Sequence, residues 1–397
     1  MSKLKVKKIE EALNRRVVAI LPSKEGLKKL MLTKRIRLYF GVDPTSPDIH
    51  LGHAISLRKL KEFQELGHEV ILLFGTFTAQ IGDPSGREEQ RKPLSLKEVE
   101  KNMTGYKKQA SKILNLAKIK IKKNDEWLSR LTLQNLNKIT SSLTVSRLLE
   151  RDMFQKRLQK GGAVWLNEFF YPLLQGYDSL AMNVDLEVGG TDQTFNMLVG
   201  RELQKTFNKK DKFILTTPLL PGLDGRKMSK TYSNTVNIKD KPGEMYGKIM
   251  SLKDELIVSY FNLCTDLSLA EVKQIEKDLK QKKLNPRDLK SRLARAIVGL
   301  YHGFKAAKVA EKEFEKVFQK RELPTKIPKV KISQKKIPIL ELLVLAKLAS
   351  SKSEAKRFII QNGVKIDGRV FPNWKNIILA KKGTIIQVGK RKFAQLS

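Results

Sequence analysis

Two of the four histidines in the chain stand three positions apart, in the stretch DPTSPDIHLGH at residues 43–53. If this stretch leads from a strand into a helix, His50 and His53 face the same way and can donate hydrogen bonds to phosphate oxygens. A helix start adds free N–H groups and positive potential, and Gly52 leaves space for a flat ring or a backbone. We therefore predict a cradle for a nucleoside triphosphate. A metal site at the H-x-x-H pair and two ordinary surface histidines are the alternatives.

A second candidate is the stretch DGRKMSKT at residues 224–231, in which Lys227 and Lys230 flank the small Ser229. Two ammonium groups on a loop can close over pyrophosphate and stabilise the charge that develops as it leaves. In a chain this rich in lysine, the pattern alone predicts only a solvated loop. It becomes informative when it is considered together with the histidine pair.

The elements that would position both motifs follow a strand–helix–strand order that occurs twice. Apolar runs predict strands over 37–43 and 69–78, and near-helical spacing between them predicts a helix over 52–67. The second occurrence has a helix that Thr191 would cap, and its strand, helix and strand lie over 183–190, 191–205 and 213–220. We therefore predict an α/β fold with a doubly wound, Rossmann-like parallel sheet, which binds ligands at the carboxyl ends of its strands.

The remaining segments predict further domains. We assign residues 1–232 to a catalytic nucleotide-binding domain with a helical insertion near 93–176 that would face a partner. Charged helical patterns continue over 233–323, and the Pro- and Lys-rich stretch 324–337 is predicted to be a linker. Residues 338–397 predict a small α+β domain, with two short helices and a hairpin that turns at Asp367-Gly368.

Charge is the most informative bulk property. The chain has 78 Lys and Arg against 41 Asp and Glu, a formal charge of +37, which suits a polyanionic partner such as nucleic acid. A lysine-biased proteome and binding to acidic lipid remain as alternatives. No apolar run approaches the ~20 residues that a membrane span needs, and we expect no secretory signal. The one cysteine, Cys264, excludes an internal disulfide and agrees with a cytoplasmic location.

Taken together, HLGH and KMSKT resemble the two signature motifs of class I aminoacyl-tRNA synthetases. Four stretches resemble the bacterial tyrosyl-tRNA synthetases in order and spacing: LYFGVDPTSPDIHLGH, IGDPSGR, YPLLQGYD and VGGTDQTFN. Residues 339–396 resemble a small RNA-binding module found in ribosomal proteins. The resemblance covers nearly the whole chain and is strongest over 37–232.

The resemblance implies roles for individual residues. Tyr39 and Asp178 would bind the phenol hydroxyl of tyrosine, although Tyr39 in a buried strand could also be simple core. The other tyrosine-binding residues would be Asp83, Tyr171, Gln175 and Gln193. Phosphate chemistry would depend on His50, His53, Lys227 and Lys230. The full ATP-binding set would comprise Gly41, Asp43, His50, Gly52, His53, Asp192, Lys227, Met228, Ser229 and Lys230. Arg87 and Arg91 would either close on pyrophosphate or belong to a surface loop.

The implied reaction attaches L-tyrosine to tRNA(Tyr) through a tyrosyl-adenylate. ATP would be a substrate that brings Mg²⁺ with it, no metal would be held by the protein alone, and a homodimer would form through the insertion. Glu187, where many relatives have glutamine, and KMSKT in place of KFGKT depart from the better-known pattern. The alternatives are a tryptophanyl-tRNA synthetase, a non-catalytic RNA-binding protein on the same scaffold and a generic nucleotidyltransferase.

Overall fold

The structure is a computed structural model that describes residues 3–85, 94–228, 232–318, 327–332, 334, 336–389 and 392–397. The chain divides into two compact units. The first consists of Met1–Lys241 and Ser251–Leu293, and the second of Pro242–Met250 and Ala294–Ser397. Within the described ranges, no helix is both long and apolar enough to cross a bilayer.

A six-stranded sheet forms the centre of the first unit. In chain order its strands are β1 (Ala19–Leu21), β2 (Arg37–Val42), β3 (Glu69–Phe74), β4 (Lys120–Lys123), β5 (Leu186–Gly190) and β6 (Phe213–Thr217). Their order in space is β1-β6-β5-β2-β3-β4, and every neighbouring pair is parallel except β1 with β6. The chain therefore reverses its winding direction between β2 and β5, which confirms the doubly wound sheet predicted from the sequence.

Helices surround this sheet and continue through the chain. In chain order they are α1 (Lys3–Asn14), α2 (Lys24–Thr33), α3 (Leu51–Glu65), α4 (Leu96–Ala110), α5 (Asp125–Leu128), α6 (Leu133–Thr140), α7 (Val145–Leu149), α8 (Asp152–Gln159), α9 (Leu166–Met182), α10 (Thr194–Asn208), α11 (Pro242–Met250), α12 (Ile257–Cys264), α13 (Leu269–Lys280), α14 (Pro286–His302) and α15 (Phe304–Phe318). The strands β3 and β5 are almost wholly buried, as expected for a parallel sheet covered on both faces.

Two local features differ from the sequence predictions. The helix α10 begins at Thr194 and not after Thr191, because residues Thr191–Gln193 form a separate 3-10 turn. The predicted insertion also contributes β4, which pairs with β3 at the edge of the sheet. The sequence of β4 is KIKK, and its lysines conceal the strand pattern because an edge strand keeps polar side chains at its surface.

The C-terminal part of the second unit forms a small α+β module. Its elements are β7 (Lys329–Val330), β8 (Lys336–Pro338), α16 (Ile339–Leu345), α17 (Lys352–Ile360), β9 (Val364–Ile366), β10 (Arg369–Val370), β11 (Ile377–Leu379), β12 (Ile385–Val388) and β13 (Lys392–Leu396). A five-stranded sheet has the order β10-β9-β12-β13-β7, and β11 pairs with β8. Buried aliphatic side chains of α16, α17, β9 and β12 form one core.

Of the features predicted for this module, the helices and the hairpin are present in the structure, but the linker is not. Both short helices are present, and the predicted hairpin turns at Asp367 and Gly368, whose φ angles are 45° and 81°. The stretch predicted to be a linker differs, since β7 pairs in parallel with β13 and β8 lies against β11. The sequence did not predict β7 and β8 because this stretch is rich in proline and lysine, and neither residue favours a strand by its own propensity.

Candidate active site

The candidate site lies where β2 and β5 end side by side. The two strands pair in parallel, with Tyr39 opposite Glu187. Immediately after β2 comes Asp43, and Asp192 and Gln193 follow β5 after the single residue Thr191. In an open α/β sheet, ligands bind at the carboxyl ends of the strands where the winding reverses. The sheet therefore brings residues from both halves of the domain to one edge.

The histidine pair forms the first turn of α3, as predicted. His50 is the N-cap residue, and its Nδ1 accepts a hydrogen bond of 3.4 Å from the backbone N–H of His53. The two imidazole rings stack with their centroids 3.7 Å apart and 17° between their planes. Both rings therefore stand at the positive end of a 15-residue helix, where an anion is favoured.

The beginning of the lysine loop meets this helix start. A Cβ atom built at Gly52 would lie 3.0 Å from the His50 ring and 3.6 Å from the Met228 Sδ atom. The chain after the loop also pairs with this region, since the Leu51 N–H donates to the Val236 carbonyl at 2.9 Å. The histidine and lysine motifs are therefore neighbours in space. Ser229 and Lys230 lie outside the described residues, as do Arg87 and Arg91.

A buried carboxylate marks the closed end of the site. Asp178 on α9 is 3% exposed and accepts hydrogen bonds from Trp127 Nε1 at 2.8 Å and from Asn124 Nδ2 at 3.2 Å. Burial raises the pKa of Asp178 well above its ordinary value, whereas the hydrogen bonds from Trp127 and Asn124 oppose that shift. A carboxylate has about four acceptor positions, so the two donors leave room for a further polar hydrogen.

Tyr39 lies at the same end and is fully buried. Its hydroxyl is 2.8 Å from Ser179 Oγ. Burial, followed by the Glu187 and Asp178 carboxylates, raises its pKa far above the usual value, so the phenol keeps its proton. The structure thus brings together the two residues that the sequence assigned to one substrate hydroxyl.

A line of hydrogen-bonded side chains runs from Asp83 to Glu187. Gln193 Nε2 donates to Asp83 Oδ2 at 2.7 Å, and Asn196 Nδ2 donates to Gln193 Oε1 at 3.0 Å. Asn196 Nδ2 also lies 3.0 Å from Gln175 Oε1, and Gln175 Nε2 donates to Glu187 Oε1 at 3.1 Å. Each amide is oriented by its neighbour, so the line presents acceptors with fixed directions.

Asp43 forms the other wall of the site. It accepts hydrogen bonds from the Tyr171 hydroxyl at 3.0 Å and from the Thr78 hydroxyl at 2.7 Å. Burial and the Asp43 carboxylate raise the pKa of Tyr171 well above its usual value. Asn124 Nδ2 lies 3.0 Å from Thr78 Oγ1 and thereby links Asp43 to the Asp178 end.

Carboxylates are numerous in this cleft, although the whole chain is strongly basic and the cations Lys212 and Arg151 lie among them. The carboxylates are Asp43, Asp83, Asp178, Glu187 and Asp192. Partial desolvation and the Asp83 carboxylate raise the pKa of Asp192, and Lys227 opposes that shift, which places Lys227 within electrostatic reach. An acidic cleft suits a cationic group such as an ammonium. In the described residues, no group of three or more His, Cys, Asp or Glu is arranged to hold a metal ion.

Two glycines show different reasons for lacking a side chain. A Cβ atom at Gly75 would lie 2.0 Å from Asp43 Oδ1, so packing within the chain requires glycine there. A Cβ atom at Gly41 would meet the Tyr39 ring at 3.7 Å, an ordinary contact. Because Gly41 is exposed and its neighbours would tolerate a larger residue, a reason for glycine lies outside the chain, as for a ligand that lies flat on it.

Comparison with known proteins identifies the family. A family model described as class I tRNA synthetases (W and Y) matches residues 31–319. The chain belongs to this family. A second model, the tyrosine–tRNA ligase SYY-like C-terminal domain, matches residues 319–396.

Individual proteins named tyrosine–tRNA ligase are similar to this chain over nearly its full length. The tyrosine–tRNA ligase of Thermotoga maritima is 47% identical over 386 residues, which is 97% of this chain and 96% of the relative. That of Moorella thermoacetica is 45% identical over 389 residues, covering 97% and 94%. Among solved structures, a tyrosyl-tRNA synthetase from Archaeoglobus fulgidus in complex with L-tyrosine is 24% identical, with a TM-score of 0.61, and covers 77% of this chain and 99% of that chain. This last likeness shows the shared fold.

Several polar residues of the cleft were missed by the sequence analysis. They are Thr78, Asn124, Trp127, Ser179, Asn196 and Lys212. Ser179 directly follows the stretch YPLLQGYD, and Asn196 is the last residue of VGGTDQTFN, so the motifs could have suggested both. Asn124 and Trp127 lie in the insertion, where no local pattern distinguishes them from other polar or aromatic residues.

Proposed function

We propose that this protein attaches L-tyrosine to tRNA(Tyr) in two ATP-dependent steps. Tyrosine and ATP first give tyrosyl-adenylate and pyrophosphate, and the tyrosyl group then passes to the 3′-terminal adenosine of the tRNA. The observation that carries this proposal is that Tyr39 and Asp178 are both buried and within electrostatic reach of each other, on the domain whose β2 leads to the stacked histidine pair at the start of α3. The family and the named relatives support it.

The cleft suits each part of tyrosine in turn. Asp178 would accept the phenol proton beside Tyr39. Asp83, Gln175 and Gln193 would receive the α-ammonium group, because a cation favours carboxylate and amide oxygens. Tyr171 would act with them through Asp43, to which it donates. A phenylalanine would leave the buried polar groups unpaired, which is the basis of a discrimination that reaches ~10⁵ in the general example of this enzyme type.

ATP would occupy the open side of the cleft. His50, His53 and Lys227, together with Lys230, would bind the phosphates and stabilise charge on the departing pyrophosphate. Gly41 and Gly52 would leave room for the nucleotide, and Asp192 would hold the ribose. Met228 and Ser229 would complete the loop, and Mg²⁺ would enter bound to ATP. Catalysis would then consist of positioning and electrostatic stabilisation, with no covalent enzyme intermediate.

The test of the reaction is ATP–pyrophosphate exchange measured with each of the twenty amino acids. We expect exchange with tyrosine and none above background with tryptophan. Exchange driven by tryptophan in place of tyrosine would establish the tryptophanyl alternative. Binding of tRNA without exchange for any amino acid would favour a non-catalytic RNA-binding protein.

We further propose that the C-terminal module binds tRNA and that the catalytic and helical domains have the boundaries assigned from the sequence, whereas the module also includes β7 and β8. Deleting residues 329–397 removes both of its sheets and leaves every residue of the cleft. We expect tyrosine-dependent exchange to stay within about twofold of the intact enzyme, whereas tRNA charging falls by about a hundredfold or more, since phosphate contacts dominate nucleic-acid affinity. An equal loss of both activities would show that the module is structural.

We propose a homodimer through the insertion, acting in the cytoplasm where its substrates are found. Apolar side chains stand exposed there, including Leu133 at 84% and Leu166 at 70%. Leu133→Asp should shift the mass measured by light scattering from dimer to monomer. Leu345→Asp, which alters an exposed leucine of the C-terminal module, is the matched control and should leave the mass unchanged. A Leu133→Asp protein that remains a dimer would place the interface elsewhere.

A further inference from the structure

The helix α4 packs against the turn that leads to the histidine pair, and none of the roles above uses this contact. Gln109 on α4 is 8% exposed. Its Nε2 donates to the carbonyl of Pro47 and, at 3.0 Å, to that of Gly105. Its Oε1 accepts from the backbone N–H of Ile49 at 3.1 Å. One buried amide therefore binds two backbone groups of the stretch directly before His50.

Gly105 allows the helix to come this close to the turn. It lies one helical turn before Gln109 and therefore on the same face of α4. A Cβ atom at Gly105 would lie 2.8 Å from Pro47 Cβ and 3.4 Å from the Pro47 carbonyl oxygen. A proline ring cannot swing aside as the end of a long side chain can, so a larger residue would push α4 away. Because glycine is less favourable than alanine within a helix, the close contact is formed at a cost to the helix.

The far side of the same turn is also fixed. The Ile49 carbonyl accepts from the Ile238 N–H at 2.9 Å, and the Leu51 N–H donates to the Val236 carbonyl at 2.9 Å. Both backbone groups of Ile49 are therefore bonded, and Ile49 is fully buried, so water cannot replace a lost partner without rearrangement. Among these bonds, the one to Gln109 involves a side chain, so a substitution can remove it alone.

We infer that Gln109 is a positioning residue for the histidine pair, which acts on the phosphate chemistry through the backbone of residues 47–49. This inference rests on the proposed function. Because His50 follows this stretch directly and its ring stacks on that of His53, a shift of the turn moves both imidazoles. A displacement of about 1 Å can cost about a hundredfold in rate. The insertion, to which α4 belongs, thereby takes part in the first chemical step.

The main test is Gln109→Met, which keeps a side chain of similar length and removes its polar groups. We expect the single-turnover rate constant of tyrosyl-adenylate formation to fall about ten- to a hundredfold. The KM for tyrosine should change by less than about twofold, as for a residue that affects only the transition state. Lost stability alone would leave this rate constant unchanged, since it does not depend on how much of the enzyme is folded.

The matched control is Gln204→Met. Gln204 on α10 is a second buried glutamine, and its Nε2 donates to the Val184 carbonyl at 2.6 Å, far along the chain from the histidine turn. This variant loses a buried amide in the same way and should keep the wild-type rate constant. A similar loss of rate in both variants would mean that any buried glutamine has this effect, and the inference would be wrong.

A double-variant cycle with His53→Ala tests whether Gln109 acts through the histidines. If it does, Gln109→Met should have a smaller effect on the rate in the His53→Ala enzyme than in the wild type, because one of the rings that it positions is already absent. Equal fold-losses in the two enzymes would show that Gln109 acts elsewhere, which contradicts the inference.

Gly105→Ala keeps the test decisive if Gln109→Met fails to fold. Helix propensity alone predicts a more stable protein. Contact with Pro47 predicts instead that α4 moves off the turn and that adenylate formation slows about tenfold or more. Gly243→Ala on α11 is the control, since a Cβ atom there meets nothing within 4 Å, and its rate should equal that of the wild type. A wild-type rate in Gly105→Ala would overturn the inference.

Hydrogen–deuterium exchange separates this inference from the proposed function, because it requires no activity. The backbone amides of residues 47–53 should exchange hydrogen faster in Gln109→Met than in the wild type and should be unchanged in Gln204→Met. If the wild type activates a different amino acid, the proposed function is wrong, while the hydrogen exchange still tests whether Gln109 holds the turn. If hydrogen exchange over this stretch is unchanged in Gln109→Met, the inference is wrong even in an enzyme that activates tyrosine.

Discussion

Replacing Asp178 by alanine is expected to raise the KM for tyrosine by about a hundredfold while leaving the KM for ATP nearly unchanged. The carboxylate would accept the phenol hydrogen in a dry pocket, and a hydrogen bond to a charged group contributes about 1.5–3 kcal/mol. The variant would also leave Trp127 Nε1 and Asn124 Nδ2 without their acceptor. The measurement is tyrosine-dependent ATP–pyrophosphate exchange over a range of tyrosine concentrations.

Two matched variants separate recognition from packing at this position. Asp178→Asn keeps the shape and one acceptor oxygen, so its loss should be intermediate. Trp127→Phe removes one donor to Asp178 but retains the carboxylate, and we expect a loss of about three- to tenfold, as for one neutral hydrogen bond. Unfolding curves for all variants establish that the protein remains folded. If Asp178→Ala retained its tyrosine KM, Asp178 would have no role in binding the substrate.

Replacing His53 by alanine is expected to lower the rate of adenylate formation by about a hundred- to a thousandfold, as for the loss of one donor to developing charge. The affinity for tyrosine should change by less than about twofold, because the imidazole would act on phosphate and not on the amino acid. The backbone N–H of His53, which donates to the N-cap His50, is retained, so the helix start should persist. Single-turnover formation of tyrosyl-adenylate measures the rate directly.

The control for His53→Ala is His302→Ala, in which a histidine of the second unit is removed. Its rate of adenylate formation should equal that of the wild type. His53→Asn retains a side-chain donor and should recover part of the lost rate. A His53→Ala enzyme with normal turnover but a large increase in the KM for tyrosine would place the imidazole at the amino-acid end of the cleft.

The contiguous motifs made much of the fold predictable. Apolar runs identified β2, β3, β5 and β6, because a strand buried on both faces has few polar residues. The edge strand β4 and the short strands β7 and β8 were not predicted. Their residues are dominated by lysine and proline, and only their pairing with neighbouring strands makes them extended.

In the candidate site, the sequence was sufficient to place together only residues that lie close in the chain. His50 and His53 are three residues apart, and one helix turn is enough to bring their rings into contact. The partners of Asp178 and Glu187 could not be found in this way. Asn124 and Trp127 come from the insertion, and Lys212 follows Glu187 by a whole helix, so only the packed fold brings each donor to its acceptor.

By itself, the sequence determined the family, the order of the central strands along the chain and the residue types available for phosphate and phenol recognition. These properties are local, since they depend on short motifs and on the spacing of apolar residues. The tertiary structure alone decided which partners the buried polar groups have. Burial removes water as a partner, so Asp178, Glu187 and Tyr39 bond to side chains distant in sequence, which only the packed fold brings within reach.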